Sequence, residues 1–124
     1  MHQIKDSFPR IERAKDEVEV LICPHEGQPK RLNMTFVLDL NQFDEIIGLE
    51  ILNLRLTAGE NALGRIQTLI PSSGKSIKYS YDPASDAFYL QISNDRSFTQ
   101  ESTEGTLLVN SVGEIVGFQA KRSG

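Results

Sequence analysis

One cysteine, Cys23, and two histidines, His2 and His25, are all the thiol and imidazole that this 124-residue chain contains. A lone cysteine cannot close an internal disulfide, which fits a reducing compartment. A structural zinc site usually takes four Cys or His ligands, so this set falls short of one. Nowhere does the chain approach the roughly 18 consecutive apolar residues that span a bilayer. The opening MHQIKDSFPR lacks the apolar core of a signal peptide. These absences lead to the expectation of a cytoplasmic protein without a membrane partner. Basic residues are also in deficit: 13 Lys and Arg stand against 17 Asp and Glu, a net charge of -4. An acidic chain repels a phosphate backbone unless it carries a local basic cluster. The best candidates, Lys30-Arg31 and Lys121-Arg122, have no aromatic residues between them and read as solvated strand ends. No nucleic-acid partner is expected.

What is present suits one compact domain over residues 1–124. Hydrophobic residues make up 39% and charged residues 24%, values that rule against wholesale disorder. A chain of this size buries roughly two thirds of its unfolded surface, enough to fold without cross-links or metals.

The strongest pattern is internal. VLDLNQFDEIIGLEI at 37–51 lies ungapped over TLLVNSVGEIVGFQA at 106–120, an offset of 69 positions. Leu38, Asn41, Glu45, Ile46 and Gly48 match Leu107, Asn110, Glu114, Ile115 and Gly117. Four further pairs exchange one apolar residue for another. Earlier in each half AKDEVEVLIC at 14–23 lies over ASDAFYLQIS at 84–93, matching Ala14, Asp16 and Ile22 with Ala84, Asp86 and Ile92. Two blocks recurring in one order point to a duplicated unit.

Within the blocks the period is two. Val18, Val20 and Ile22 alternate with Glu17, Glu19 and Leu21, and Phe88, Leu90 and Ile92 with Tyr89, Gln91 and Ser93. Each segment therefore presents one face to a core as a strand. The apolar runs Phe36–Leu40 and Glu45–Leu49 flank Asn41-Gln42-Phe43-Asp44, and Asn110-Ser111-Val112-Gly113 fills the same place later. Asn, Asp and Gly tolerate positive φ, so both stretches predict β-hairpins. Tyr81-Asp82-Pro83-Ala84-Ser85-Asp86 reads as a further turn between strands Ile77–Tyr81 and Phe88–Ile92. Between the halves, Thr57 and Glu60 form a capping box for one predicted helix, Ala58–Ile70, stopped by Pro71.

From Lys78 to Ala120 the chain resembles the bacterial family labelled domain of unknown function 2283. The resemblance rests on Tyr81-Asp82-Pro83-Ala84-Ser85-Asp86-Ala87-Phe88-Tyr89 and on Glu114-Ile115-Val116-Gly117-Phe118. The first half matches through Leu38-Asp39-Leu40 and Ile46–Leu52, and departs where Glu12-Arg13 replace the Asp-Pro of the turn. The resemblance implies a fold; it implies no activity and no catalytic residue.

Three stretches invite a chemical reading. Cys23-Pro24-His25-Glu26 places a thiol near an imidazole, but adjacent positions after a strand rarely converge with a third orienting group, so a buried strand-end thiol is expected. Gly74-Lys75-Ser76 ends like a phosphate-binding loop, yet Leu69 stands where that motif needs glycine, and the loop leaves a helix instead of entering one. Asp39, Asp44, Glu45, Glu50, Asp82 and Asp86 lie in or beside turns, without a calcium loop's D-x-D-x-D-G spacing. Turn capping is their expected role. Gly48 and Gly117, inside strands, mark a bulge, a slot for a cross-strand aromatic, or a gap for a ligand or partner backbone.

The expected protein is mainly β: two tandem antiparallel β-meander repeats, 7–56 and 76–124, sharing one core and joined by one short helix within 57–75. The expected core is Val18, Val20, Ile22, Leu38, Leu40, Ile47, Leu49, Phe88, Leu90, Ile92, Leu107, Val109, Val116 and Phe118. No catalytic residue, metal or cofactor is assigned; Gly48, Gly117, Asp82 and Asp86 are the positions singled out. The function expected is a non-catalytic protein-interaction or structural module with a protein partner on an exposed sheet edge. The alternative is a small-molecule sensor or an enzyme with its pocket between the repeats. The assembly expected is a monomer with an internal pseudo-two-fold, or a weak homodimer.

Overall fold

A computed structural model describes residues 8–24 and 27–122. Eight strands form one sheet: β1 (Arg10–Arg13), β2 (Glu17–Leu21), β3 (Lys30–Leu40), β4 (Ile46–Leu52), β5 (Lys78–Asp82), β6 (Ala87–Gln91), β7 (Thr99–Val109) and β8 (Ile115–Lys121). Their order across the sheet is β1-β2-β8-β7-β3-β4-β6-β5, and every pairing is antiparallel. The mainly β, antiparallel architecture is thus as the alternation predicts.

The connectivity departs from a meander. β2 does not pair with β3; the β1–β2 hairpin crosses to β8, and the β5–β6 hairpin crosses to β4. Each half therefore completes the sheet of the other. Numbering β5–β8 as β1–β4, and the reverse, leaves the strand order unchanged when read from the opposite edge. Long strands β3 and β7 pair along their whole length at the centre. At the offset of 69, Thr35 corresponds to Glu104, and these two face each other in that ladder. The first halves of β3 and β7 escaped the sequence reading because Lys30–Thr35 and Thr99–Glu104 are largely polar; each is held extended by backbone pairing with the more apolar second half of the other strand.

Two matching irregularities accompany the shared glycines. The β3·β4 register shifts between Asp39 and Leu40, opposite Gly48 and Ile46, and the β7·β8 register shifts between Leu108 and Val109, opposite Gly117 and Ile115. The extra residues, Ile47 and Val116, are buried. Such bulges sharpen local twist and help a sheet to curl. The curl is strong. Phe88 on β6 and Phe118 on β8 are four strand spacings apart, about 19 Å in a flat sheet. Their rings instead stack at 5.6 Å and 7°. The concave face holds the main core, in which Val18, Val20, Phe36, Leu38, Leu49, Ile51, Phe88, Leu90, Leu107 and Phe118 are almost fully buried.

The linker also differs from expectation. In place of one helix at 58–70 there are two, α1 (Leu54–Ala58) and α2 (Gly64–Leu69). The Thr57–Glu60 capping box is not the start. α1 begins earlier because Asp86, in the β5–β6 turn, accepts from the N–H groups of Arg55 (2.9 Å) and Leu56 (3.0 Å). Gly59, at φ 104°, then breaks the helix. Leu54, Ala62, Leu63, Ile66 and Ile70 enter the core from this linker. Residues 59–65 dock on the β7–β8 turn: the Ile115 N–H donates to the Ala62 carbonyl (2.9 Å), and Arg65 Nε donates to Glu114 Oε1 (2.9 Å). A side chain at Gly64 would strike the Glu114 carboxylate.

Both β-hairpin turns are built alike. Asn41 Oδ1 accepts from the N–H groups of Phe43 and Glu45, and Nδ2 donates to Glu45 Oε1; Asn110 does the same with Val112 and Glu114. The left-handed position falls on Asp44 (φ 65°) and Gly113 (φ 87°).

Candidate functional site

The four singled-out residues do not converge. Gly48 lies beneath Tyr89 of the neighbouring strand: an added Cβ would sit 2.7 Å from Tyr89 Cζ and closer still to its hydroxyl. The slot lets Tyr89 Oη reach across the convex face and donate to Asp39 Oδ2 (2.6 Å), while Gln100 Nε2 donates to Asp39 Oδ1 (2.9 Å). Burial first, and then that carboxylate, push the Tyr89 phenol well above its ordinary value. Gly117 occupies the matching place in the other half, but its neighbours are Leu108, which stands where Asp39 does, and Leu21. A small apolar cluster of Cys23, Leu108 and Val116 replaces the polar one.

Asp82 and Asp86 serve turns. Asp82 accepts from the Ala84 N–H (3.0 Å) and the Ser85 hydroxyl (2.9 Å). Asp86 receives the Tyr81 hydroxyl (2.6 Å) as well as the two α1 amides, with Arg55 over the Tyr81 ring at 5.0 Å. Partial desolvation opposes ionisation of Asp86. The Tyr81 hydroxyl and the Arg55 and Leu56 amides outweigh it and hold its carboxyl below the usual range.

Of the Cys23–Glu26 stretch, His25 and Glu26 lie outside the described residues, as does His2. Cys23 is buried, and Arg65 Nη1 lies 3.7 Å from its sulfur. Lys75, of the Gly-Lys-Ser stretch, donates to the Pro9 carbonyl (2.7 Å) and so links the segments before the two edge strands. Among the described residues no group of three or more His, Cys, Asp or Glu could hold a metal. No helix among the described residues is long and apolar enough to cross a membrane.

Another concavity lies elsewhere. A cavity of about 390 Å3 opens where both halves and the linker meet. The β2–β3 connection supplies Cys23, Pro24, Gly27, Gln28 and Pro29, and the start of β3 supplies Lys30 and Leu32. The linker adds Thr57, Ala58 and Arg65; the end of β7, its turn and β8 add Val109, Asn110, Ser111, Gly113 and Val116. None of the four singled-out residues lines it. Two signals were legible there: Asn110 as an identical pair, and Lys30 as half of a basic pair. Arg65 was not, because nothing local in 57–75 says that this helix packs against the second hairpin.

At the corresponding end of the fold, a groove of about 330 Å3 is lined by Asn41, Gln42, Phe43, Asp95, Arg96, Ser97 and Phe98. No linker residue lines it. Phe43 and Phe98 are each 72% exposed.

Comparisons with known proteins place nothing beside this geometry: no family model matches the chain, and no curated protein or solved structure does.

Proposed function

We propose that this chain is a non-catalytic binding module that holds a small molecule in the cavity between its two halves. The observation that carries the reading is the composition of that wall. Apolar residues (Leu32, Val109, Val116) stand with hydroxyl and cationic groups (Thr57, Ser111, Lys30, Arg65) from four separate segments. Concave sites of roughly 300–1,000 Å3 that set apolar side chains beside convergent polar groups are the usual form of ligand pockets. Ser111→Trp tests it. The matching residue in the other turn is the exposed Gln42, so bulk at this position suits the fold. The variant is expected to keep the native circular dichroism and melting temperature and to lose any small molecule that co-purifies with the wild type in native mass spectrometry. Equal retention by the variant would rule the cavity out.

A second reading, a protein partner, draws on Phe43 and Phe98. Two exposed aromatic rings on one groove are more than scattered surface apolarity. The sheet edges support it less. β1 is four residues long and reads Arg-Ile-Glu-Arg, and β5 carries Lys78 and Asp82, the short charged edges that discourage pairing. Pull-down with Phe43→Ala/Phe98→Ala beside the wild type separates groove from edge.

We also infer that the halves are copies of one unit, kept as an internal pseudo-dimer in a cytoplasmic protein related to the bacterial family resembled above. Equal lengths of the long strands, 11 and 7 residues in each half, support this, as do the matching bulges and Asn turns.

A further inference from the structure

Resting on the reading of the cavity as a ligand site, we propose that its ligand is a small organic carboxylate: one negative charge on an apolar body. The chain is acidic, with a net charge of -4, yet the two charged residues on the described wall, Lys30 and Arg65, are both cations. Glu114 takes one edge of the Arg65 guanidinium (2.9 Å), and so offsets one of the two positive charges. Among the described residues of the wall this leaves a single positive charge, which complements a monoanion and falls short of what a polyphosphate would need. Arg65 Nε is on Glu114 and Nη1 lies beside the Cys23 sulfur, which leaves Nη2 as the guanidinium nitrogen to donate a charge-assisted hydrogen bond to a carboxylate. Lys30 leads a strand whose next residue on the same face is Leu32, so a cation and an apolar wall are adjacent on β3. Val109, its partner in the β3·β7 ladder, and Val116 continue the apolar wall, with the Ser111 turn beside them. A carboxylate held between Lys30 and Arg65 would leave its hydrocarbon part against these residues.

The experiment is an amide-resolved NMR titration of the full chain with benzoate and with hexanoate, each against its neutral amide, and with inorganic phosphate. Expected are saturable shifts at Lys30, Arg65 and Ser111 with the carboxylates, and affinity for the amides lower by about tenfold, the scale of one charge-assisted hydrogen bond. Lys30→Gln and Arg65→Gln should each weaken carboxylate binding about tenfold and leave amide binding unchanged. Lys30→Gln keeps the Arg65–Glu114 pair, so it carries the test if the other variant fails to fold. Amides binding as tightly as carboxylates at the same signals would overturn the charge assignment and leave the pocket standing. Phosphate displacing benzoate at equal concentration would overturn the apolar body. No shifts with either carboxylates or amides would remove the pocket reading and the carboxylate together.

Discussion

Gly48 and Gly117 are identical in the internal alignment, yet the structure predicts very different costs for filling them. At Gly48 an alanine Cβ would collide with the Tyr89 ring, and the ring must move. Moving it breaks the 2.6 Å hydrogen bond to Asp39, a carboxylate only 8% exposed. Losing a hydrogen bond to a charged, buried partner costs about 1.5–3 kcal/mol, and overpacking adds about 1 kcal/mol or more. Gly→Ala by itself returns about 0.4–1 kcal/mol through the unfolded chain. Gly48→Ala should therefore destabilise by about 3 kcal/mol, lowering the melting temperature by roughly 10 °C. At Gly117 the nearest groups are the methyl ends of Leu108 (3.0 Å) and Leu21 (3.2 Å), which can rotate away. Gly117→Ala should cost no more than about 1 kcal/mol. Urea unfolding followed by far-UV circular dichroism measures both. The decisive arm is a double-mutant cycle with Tyr89→Ala. Without the ring, the Leu90 carbonyl at 3.1 Å is what remains of the three nearest atoms at Gly48, much like the Val20 carbonyl at 3.2 Å from Gly117. Its cost should then fall to that of Gly117→Ala. Additivity of Gly48→Ala and Tyr89→Ala within about 0.5 kcal/mol would refute the slot argument.

Asp86→Asn keeps one acceptor oxygen but turns an NH2 group toward one of the three donors, and should cost about 1 kcal/mol or more at pH 7. Because the native carboxyl titrates below its unfolded value, its contribution is present above about pH 4 and fades as the pH falls through the native value. A deficit equally large at pH 3 and pH 7 in urea titrations would contradict this. Asn41→Ala and Asn110→Ala each remove the one oxygen that accepts two backbone N–H groups and a donor to the glutamate four residues on, so each should cost about 1–2 kcal/mol by thermal unfolding. A cost near zero for either would mean that the turn does not depend on its asparagine. Residues 76–124 expressed alone should show no cooperative melt, since β6 then lacks β4 and β8 lacks β2. Mixing them with residues 1–75 should restore it, and a stable folded fragment would overturn the exchange.

Alternation at period two, with Asn at both turns, made the strands and most inward faces readable; every residue of the expected core is buried, but at the two bulges Ile46 and Ile115 join the main core, and Val116 lies in the small second cluster. Pairing partners were not readable, because antiparallel strands of like pattern accept one another equally well. Whether Val20 meets its own half or faces Phe118 is decided by the curl of the whole sheet. The helix start was misplaced for a related reason. Its acceptor, Asp86, lies 31 residues beyond Arg55, where a local capping rule does not look. Arg65 and Lys30 meet at one cavity only after both of those long-range choices are made.

The reciprocal hairpin exchange bears on how a ribosome delivers this chain. β2 emerges early, but its inner ladder partner is β8, so Glu17 waits for Lys121 to be synthesised. Pairings this distant in sequence are slow to form, and a nascent strand without its partner is open to aggregation. Glu17 and Glu19 alternate with Val18 and Val20 along that waiting strand, and their charge protects it during translation.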